Sequence, residues 1–97
     1  MLKNQVLMII HAHQEELHNR YAVKSLGLFG SVARDEATAN SDVDLLIEFV
    51  KPVGIFHFLT VKNCLQEWLN QKVDLVTYSA LKSPLKEQII KEVINVT

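Results

Sequence analysis

The stretch Gly27–Phe49 places the tightest limits on how this chain can fold. In it a Gly-Ser pair, Gly30 and Ser31, is followed after ten intervening residues by Asp42-Val-Asp44. The short apolar run Leu26–Phe29 before the pair predicts a buried strand that ends at Gly30. The apolar residues that follow the acidic pair predict a second buried strand. The sequence therefore predicts two neighbouring strands joined by a turn, a short helix and a loop.

The turn after the first strand has the features of a phosphate site. Gly30 permits a sharp turn and a close approach of the backbone to an anion, because it carries no Cβ. Ser31 is expected to cap a short helix over Val32–Ala37, whose first N–H groups lack partners within the helix and favour anions. Arg34 follows one turn later and is expected to add a charge-assisted contact to a phosphate.

The acidic pair at the head of the second strand predicts a metal site. Alternate residues of a strand share a face, so Asp42 and Asp44 point the same way with Cα atoms about 6 to 7 Å apart, and Val43 points into the core. Two divalent cations about 3.5 to 4 Å apart fit such a pair, and hard oxygen ligands suit magnesium. The turn and the acids together predict binding of a nucleoside triphosphate with its metals.

A third acidic residue lies on the predicted strand Val73–Thr77. Asp74 interrupts a run of valine and leucine, where a carboxylate brings no structural advantage. If this strand pairs beside the strand headed by Asp42, Asp74 can complete a site of three carboxylates. The alternative is an aspartate that is simply buried, or exposed at the edge of the sheet.

The remaining periodicity predicts helices around these strands. The element order becomes helix, strand, short helix, strand, helix, strand, helix, which is typical of an α/β fold with a three-stranded sheet covered by helices. Trp68 has core spacing on the helix predicted over 55–71, and the alternative is that it stacks on an adenine. The other helices are predicted over 2–20 and from a cap at Ser83, with Pro84 in the first turn, through Val93.

Length and composition limit the chain's partners. The 97 residues predict a single domain, 1–97, with one core and no room for a second lobe. Ten Lys and Arg against eleven Asp and Glu give a net charge of −1 without a basic stripe, so direct binding to nucleic acid is not expected. The apolar runs are too short to span a membrane and a secretion signal is lacking, which predicts a cytoplasmic location.

The spacing of Gly30-Ser31 and Asp42-x-Asp44 resembles the signature of the nucleotidyltransferase superfamily that shares its catalytic palm with DNA polymerase beta. The run GSVARDEA and the short length resemble its minimal members, the MNT-domain proteins, many of which are antitoxins encoded beside HEPN-domain toxins. The resemblance covers nearly the whole chain and implies an α+β palm with a small mixed sheet. It also implies an antitoxin that transfers AMP from ATP to a hydroxyl, often of a tyrosine, on a HEPN ribonuclease toxin.

The resemblance gives each candidate residue a role. Asp42, Asp44 and Asp74 would be catalytic and would hold two Mg²⁺ ions, with Asp74 accepting the proton of the attacking hydroxyl. Gly30 and Ser31 would bind the β and γ phosphates of ATP, and Arg34 would neutralise charge on the pyrophosphate. The expected partners are ATP and a HEPN toxin, with which the chain would form a hetero-oligomer.

Two other functions remain open at the sequence level, and one position departs from the family pattern. The chain can be an antitoxin that acts by binding alone with an idle site, or a nucleotidyltransferase for small molecules such as aminoglycosides. Many relatives have glycine after the arginine, where this chain has Asp35. That side chain would weaken triphosphate binding if it pointed inward and would be harmless if solvated.

Overall fold

The fold is organised around a mixed four-stranded sheet with strand order β3-β2-β1-β4. A computed structural model describes residues 1–96. Strand β1 pairs antiparallel with both β2 and β4, whereas β2 and β3 run parallel. The strands are β1 (Val23–Phe29), β2 (Val43–Phe49), β3 (Val73–Thr77) and β4 (Ile94–Asn95).

Helices lie on the faces of this sheet and supply the connections. A parallel pair of strands needs a crossover, and the helix between β2 and β3 provides it. The helices are α1 (Lys3–Ala12), α2 (Gln14–Tyr21), α3 (Gly30–Ala33), α4 (Ile55–Leu69) and α5 (Leu85–Glu92), with a 3₁₀ turn at Tyr78–Ala80. Mixed pairing with helical cover confirms the predicted α+β class. Within residues 1–96, none of these helices has the length and apolar character needed to cross a membrane.

The alternation of residues along β2 separates two packed faces. Val43, Leu45 and Ile47 are fully buried in the main core, which also takes apolar residues from α1, α2 and α4. Leu46 points to the other face and packs with Phe29 and Ile89. Alternate residues on a strand face opposite sides, so Asp44 shares the face of Leu46 rather than that of the main core.

The N-terminal helix differs from its prediction. One helix over residues 2–20 was expected, but the chain breaks at His13, whose φ of −106° and ψ of 11° are not helical. The break lets α1 bury Val6 and Ile10 and α2 bury Leu17 and Tyr21 against one sheet. The His13 ring stacks on Trp68 with centroids 3.9 Å apart and an interplanar angle of 2°. Trp68 therefore packs against the core, as predicted from its spacing.

The C-terminal region also departs from its prediction. Val93 was expected in the last helix, but it is extended, and the chain then adds β4 beside Gly27 and Leu28. The prediction of three strands was therefore wrong by this two-residue strand. A side chain on Gly27 would overlap the Val93 side chain, so the glycine makes room for this return of the chain. Ser83 does not cap the helix, because Pro84 stands at the cap position without a side-chain bond.

Candidate active site

The turn after β1 requires glycine for two independent reasons. Gly30 has a φ of +76°, a conformation that L side chains rarely adopt. A Cβ at this position would also overlap Oδ2 of Asp44 and lie 2.9 Å from its Cγ. This contact follows from the sheet register, because Phe29 on β1 pairs with Asp44 on β2. The structure thus brings the predicted glycine turn directly against one of the predicted metal ligands.

The short helix begins earlier than the sequence predicted. Helix α3 covers Gly30–Ala33 rather than 32–37, and Phe29 occupies the cap position without a side-chain cap bond. Ser31 is therefore inside the helix, and the prediction that it caps the helix was wrong. The positive φ of Gly30 makes the turn within one residue, so the helix starts at once. It ends near Asp35, whose φ is +58°.

Asp44 and Asp74 lie side by side on neighbouring strands. Strands β2 and β3 are parallel and pair Asp44 with Asp74 in register. Residues paired in this way project from the same face of strands that lie about 4.8 Å apart. The conditional expectation that the Asp74 strand would pair beside the Asp42 strand is therefore met. Asp74 is exposed and Asp44 is half-buried, so the pair opens to solvent.

Asp42 stands immediately before β2 and is half-buried. The strand begins at Val43, whose N–H donates to the Lys72 carbonyl at 2.9 Å. Val43 is fully buried, as the alternation predicted. The start of β2 therefore places Asp42 near Asp44, and the charge of Asp42 acts on the Asp44 carboxyl.

The electrostatics of the cluster centre on Asp44. Burial, followed by the charges of Asp74 and Asp42, raises the pKa of Asp44 from 3.8 to about 6, whereas Arg34 acts in the opposite direction. Each cause disfavours a third negative charge at this point in the structure. A bound cation would reverse the balance, because it would favour the ionised form of all three carboxyls.

The three carboxylates are chemically suited to magnesium, although their present arrangement does not surround a metal ion. Across residues 1–96, no group of three His, Cys, Asp or Glu is arranged closely enough to hold a metal ion directly. Asp42, Asp44 and Asp74 offer only carboxylate oxygens, which magnesium prefers, and magnesium commonly keeps several waters and uses substrate phosphates as further ligands. Cation binding at this cluster therefore requires side-chain adjustment and additional oxygen donors.

Arg34 lies beside the turn and is held by two acidic side chains. Its Nε donates to Glu36 at 3.0 Å and its Nη1 donates to Glu92 at 3.1 Å. The contact with Glu36, and then the charges of Glu92 and Glu36, raise the pKa of Arg34, so the guanidinium remains charged. The positive charge of Arg34 partly offsets the rise in the pKa of Asp44, so Arg34 acts electrostatically on the acidic cluster.

Asp35, the residue that departs from the family pattern, points away from the cluster. Its carboxylate is 3.4 Å from the Lys3 ammonium on α1, and its side chain is mostly exposed. Its φ of +58° belongs to the left-handed region, which explains why glycine suits this position and why aspartate is tolerated there. The structure thus favours the harmless, solvated alternative for Asp35.

Sequence reasoning missed Glu92, the last residue of α5, whose side chain contacts the turn. The N–H of Gly30 donates to Oε1 of Glu92 at 3.2 Å, across 62 positions of sequence. One feature of the sequence could have pointed to Glu92. Glu92 follows Ile89 by three residues, so it shares the inward face of α5 and is an acid in a half-buried position.

A glycine turn onto a short helix, set against paired carboxylates on a mixed sheet, is typical of proteins that handle nucleotide phosphates. The comparisons with known proteins agree with this class. Residues 10–96 match the family described as the nucleotidyltransferase domain. The chain belongs to that family and is a nucleotidyltransferase.

Relatives and solved structures place the chain within the family. It is 37% identical over 92 residues to the protein adenylyltransferase MntA of Thermococcus cleftensis, covering 95% of this chain and 93% of that protein. This chain also superposes on a solved structure that is provisionally described as a minimal nucleotidyltransferase. The TM-score is 0.80 at 32% identity, and the alignment covers 97% of this chain and 95% of that one.

A third likeness concerns the fold alone, because the identity is only 16%. It is to a chain in the structure of a tri-AMPylated Shewanella oneidensis HEPN toxin in complex with an MNT antitoxin. The TM-score is 0.66, and the alignment covers 94% of this chain and 71% of that chain.

Proposed function

We propose that this protein is the antitoxin of a HEPN/MNT pair and that it transfers AMP from ATP to a hydroxyl, that of a tyrosine, on its HEPN toxin. The observation that carries the proposal is the in-register pair of Asp44 and Asp74 beside the Gly30 turn. The 37% identity to a protein adenylyltransferase supports the choice of AMP and of a protein acceptor. The proposed place of action is the cytoplasm, which supplies ATP and magnesium.

The proposed reaction is an in-line displacement at the α-phosphate of ATP. The acceptor oxygen forms a bond to the α-phosphorus while the bond to the bridging oxygen of the β-phosphate breaks, and pyrophosphate leaves. Asp74 takes the proton of the acceptor hydroxyl, because it is exposed next to Asp44 and can reach an incoming group. Asp42, Asp44 and Asp74 would hold two Mg²⁺ ions, which supply charge stabilisation at the transferring phosphate.

The turn has the complementary role of holding the leaving group. The N–H of Gly30 and the hydroxyl of Ser31 are proposed to bind the β and γ phosphates, since both stand at the start of α3. Arg34 would neutralise charge on the pyrophosphate, because its guanidinium lies within reach of the same turn. Positioning and charge neutralisation then account for most of the rate, since no covalent protein intermediate is required.

The surface supports a protein partner rather than an enclosed small acceptor. Asp74 is exposed, so the acceptor side of the site lies open. Large apolar side chains also face solvent at the end of β2 and the start of α4, among them Phe56, which is 83% exposed. Clusters of exposed apolar residues are typical of surfaces that a partner covers. Val50, Ile55 and Leu59 complete this group.

The test is transfer of label from α-labelled ATP, with magnesium, to a HEPN-domain protein, which we expect the adjacent gene to encode. The wild-type protein is compared with the double variant Asp42→Ala plus Asp44→Ala. Label on the HEPN protein that disappears with the double variant is the expected result. Asp35→Asn serves as a matched control, because it removes a carboxylate near the turn that is exposed and paired with Lys3.

Two outcomes would overturn the proposal. A double variant that still neutralises the toxin, together with a wild-type protein that transfers no label, would make this an antitoxin that acts by binding alone. Label on an aminoglycoside, with none on the HEPN protein, would make it a small-molecule nucleotidyltransferase. Mapping of the labelled residue by mass spectrometry then tests the tyrosine acceptor separately.

A further inference from the structure

The carboxylate of Glu92 occupies donors that the proposed function assigns to a phosphate. Its Oε1 accepts from the Gly30 N–H at 3.2 Å and from Nη1 of Arg34 at 3.1 Å, and its Oε2 lies 3.4 Å from the same Nη1. A backbone amide and a guanidinium on one oxygen form the type of environment that binds an oxyanion. The side chain is only 24% exposed, so the contact is not a loose surface pair.

The backbone around Glu92 is fixed from both sides. One turn earlier, Ile89 is 6% exposed and packs with Phe29 and Leu46. Immediately after Glu92, the Val93 side chain lies against Gly27 and the chain pairs with β1. These contacts anchor α5 at the turn, so rotation of its own side chain is enough to release the carboxylate without a shift of the backbone.

The Gly30 amide carries a single hydrogen, so it cannot bind Glu92 and a phosphate oxygen fully at the same time. A carboxylate left in place would also repel the polyphosphate. We propose that Glu92 is an internal competitor of the triphosphate, which holds the Gly30 amide and the Arg34 guanidinium in the free protein and is displaced when the nucleotide binds. This inference rests on the proposed function, and it adds a residue that sets nucleotide affinity.

The test is a calorimetric titration of MgATP into the wild-type protein and the Glu92→Gln variant. Glutamine keeps the length and an acceptor oxygen but lacks the charge. Loss of one charge-assisted competitor is expected to tighten MgATP binding at least about fivefold. Glu87→Gln is the matched control, because Glu87 is exposed on the same helix, and it should leave the affinity unchanged.

Two further ligands separate competition from a general structural change. Inorganic pyrophosphate with magnesium should also bind more tightly to Glu92→Gln, because it uses the phosphate donors alone. Adenosine should bind both proteins equally, because it has no phosphate. A change of the same size for all three ligands would indicate an altered fold and overturn the inference.

If Glu92 instead assisted nucleotide binding, the Glu92→Gln variant would give the opposite result. If Glu92 stays in place and positions Arg34 for the nucleotide, then Glu92→Gln will weaken MgATP binding. Equal affinity of both proteins would likewise overturn the inference while leaving the proposed function intact. A wild-type protein that binds no MgATP would instead refute the proposed function. Glu92→Asp provides a second variant if the glutamine protein is unstable, and its shortened side chain should produce a smaller gain in affinity.

Discussion

Replacing Asp44 with asparagine should stabilise the free protein at pH 8 while it abolishes nucleotidyl transfer. Asp44 is half-buried, lies beside Asp74 and Asp42, and has its pKa raised from 3.8 to about 6 by burial and by those two charges. At pH 8 the folded protein therefore holds an ionised carboxylate in an unfavourable place. Asparagine removes the charge, and its amide can donate to the Asp74 carboxylate next to it.

The size of the effect follows from the raised pKa. A rise from 3.8 to about 6 corresponds to an upper limit of about 3 kcal/mol in the free energy of unfolding at high pH. Asp44 is open to solvent on one side, and screening by water lowers such energies strongly. We therefore expect the asparagine variant to be more stable by about 1 kcal/mol at pH 8.

The sign of the pH dependence provides a stricter check. The carboxyl takes up its proton at a higher pH in the folded state than in the unfolded state, so it favours folding below pH 3.8 and loses that contribution as the pH rises through about 6. The difference in unfolding free energy between the variant and the wild-type protein should thus be largest at pH 8 and should shrink as the pH falls towards 4. Urea unfolding without divalent cations, repeated at several pH values, measures it.

Magnesium and a control variant complete this experiment. Added Mg²⁺ should stabilise the wild-type protein and have much less effect on Asp44→Asn, because the Asp44 carboxylate is one of the proposed ligands of the cation. Glu87→Gln removes an exposed charge on α5 and should shift the unfolding free energy little at any pH. Equal stability of Asp44→Asn and wild type at pH 8, or a gap that widens as the pH falls, would refute the electrostatic account.

Three other predictions concern single residues around the site. Gly30→Ala should lower the free energy of unfolding by about 3 kcal/mol in urea titrations, because it combines a positive φ with overlap against Asp44. Asp35→Gly should leave MgATP affinity unchanged in calorimetry, since Asp35 points to Lys3, and a large gain would contradict that placement. Trp68→Ala should cost about 2 kcal/mol of stability, less than a fully buried tryptophan, because the side chain is half-buried. It should keep MgATP affinity, because the ring stacks on His13; lost affinity in the folded variant would restore the adenine alternative.

The parts of the fold that the sequence predicted are those with a strong local pattern. Strand β3 lies over Val73–Thr77 as expected, and Val43 is buried while Asp44 faces the other way. These features depend only on strand alternation and on flanking turn residues. The glycine turn was also predictable, because few other residues tolerate a positive φ at a sharp turn.

The remaining features depend on contacts between distant parts of the chain. The break at His13 accompanies its stacking on Trp68, and β4 forms because Gly27 makes room for Val93. Neither partner is indicated by local spacing. Glu92 reaches Gly30 from a helix end that Ile89 on one side and β4 on the other anchor to the sheet. The start of α3 was misplaced because serine after a strand is a common cap, whereas Gly30 alone makes this turn.

Two features of the free protein oppose nucleotide binding, and MgATP would relieve both. Burial and the charges of Asp74 and Asp42 disfavour the ionised form of Asp44, and Glu92 accepts the hydrogen bond of the Gly30 amide. A cation at the carboxylates would lower the first cost, while the phosphates that accompany it would displace Glu92. Because each component favours the state that the other needs, Mg²⁺ and ATP should bind cooperatively, with ATP affinity falling strongly when magnesium is removed. In Glu92→Gln the affinity for ATP without magnesium should recover in part, since one of the two obstacles is gone.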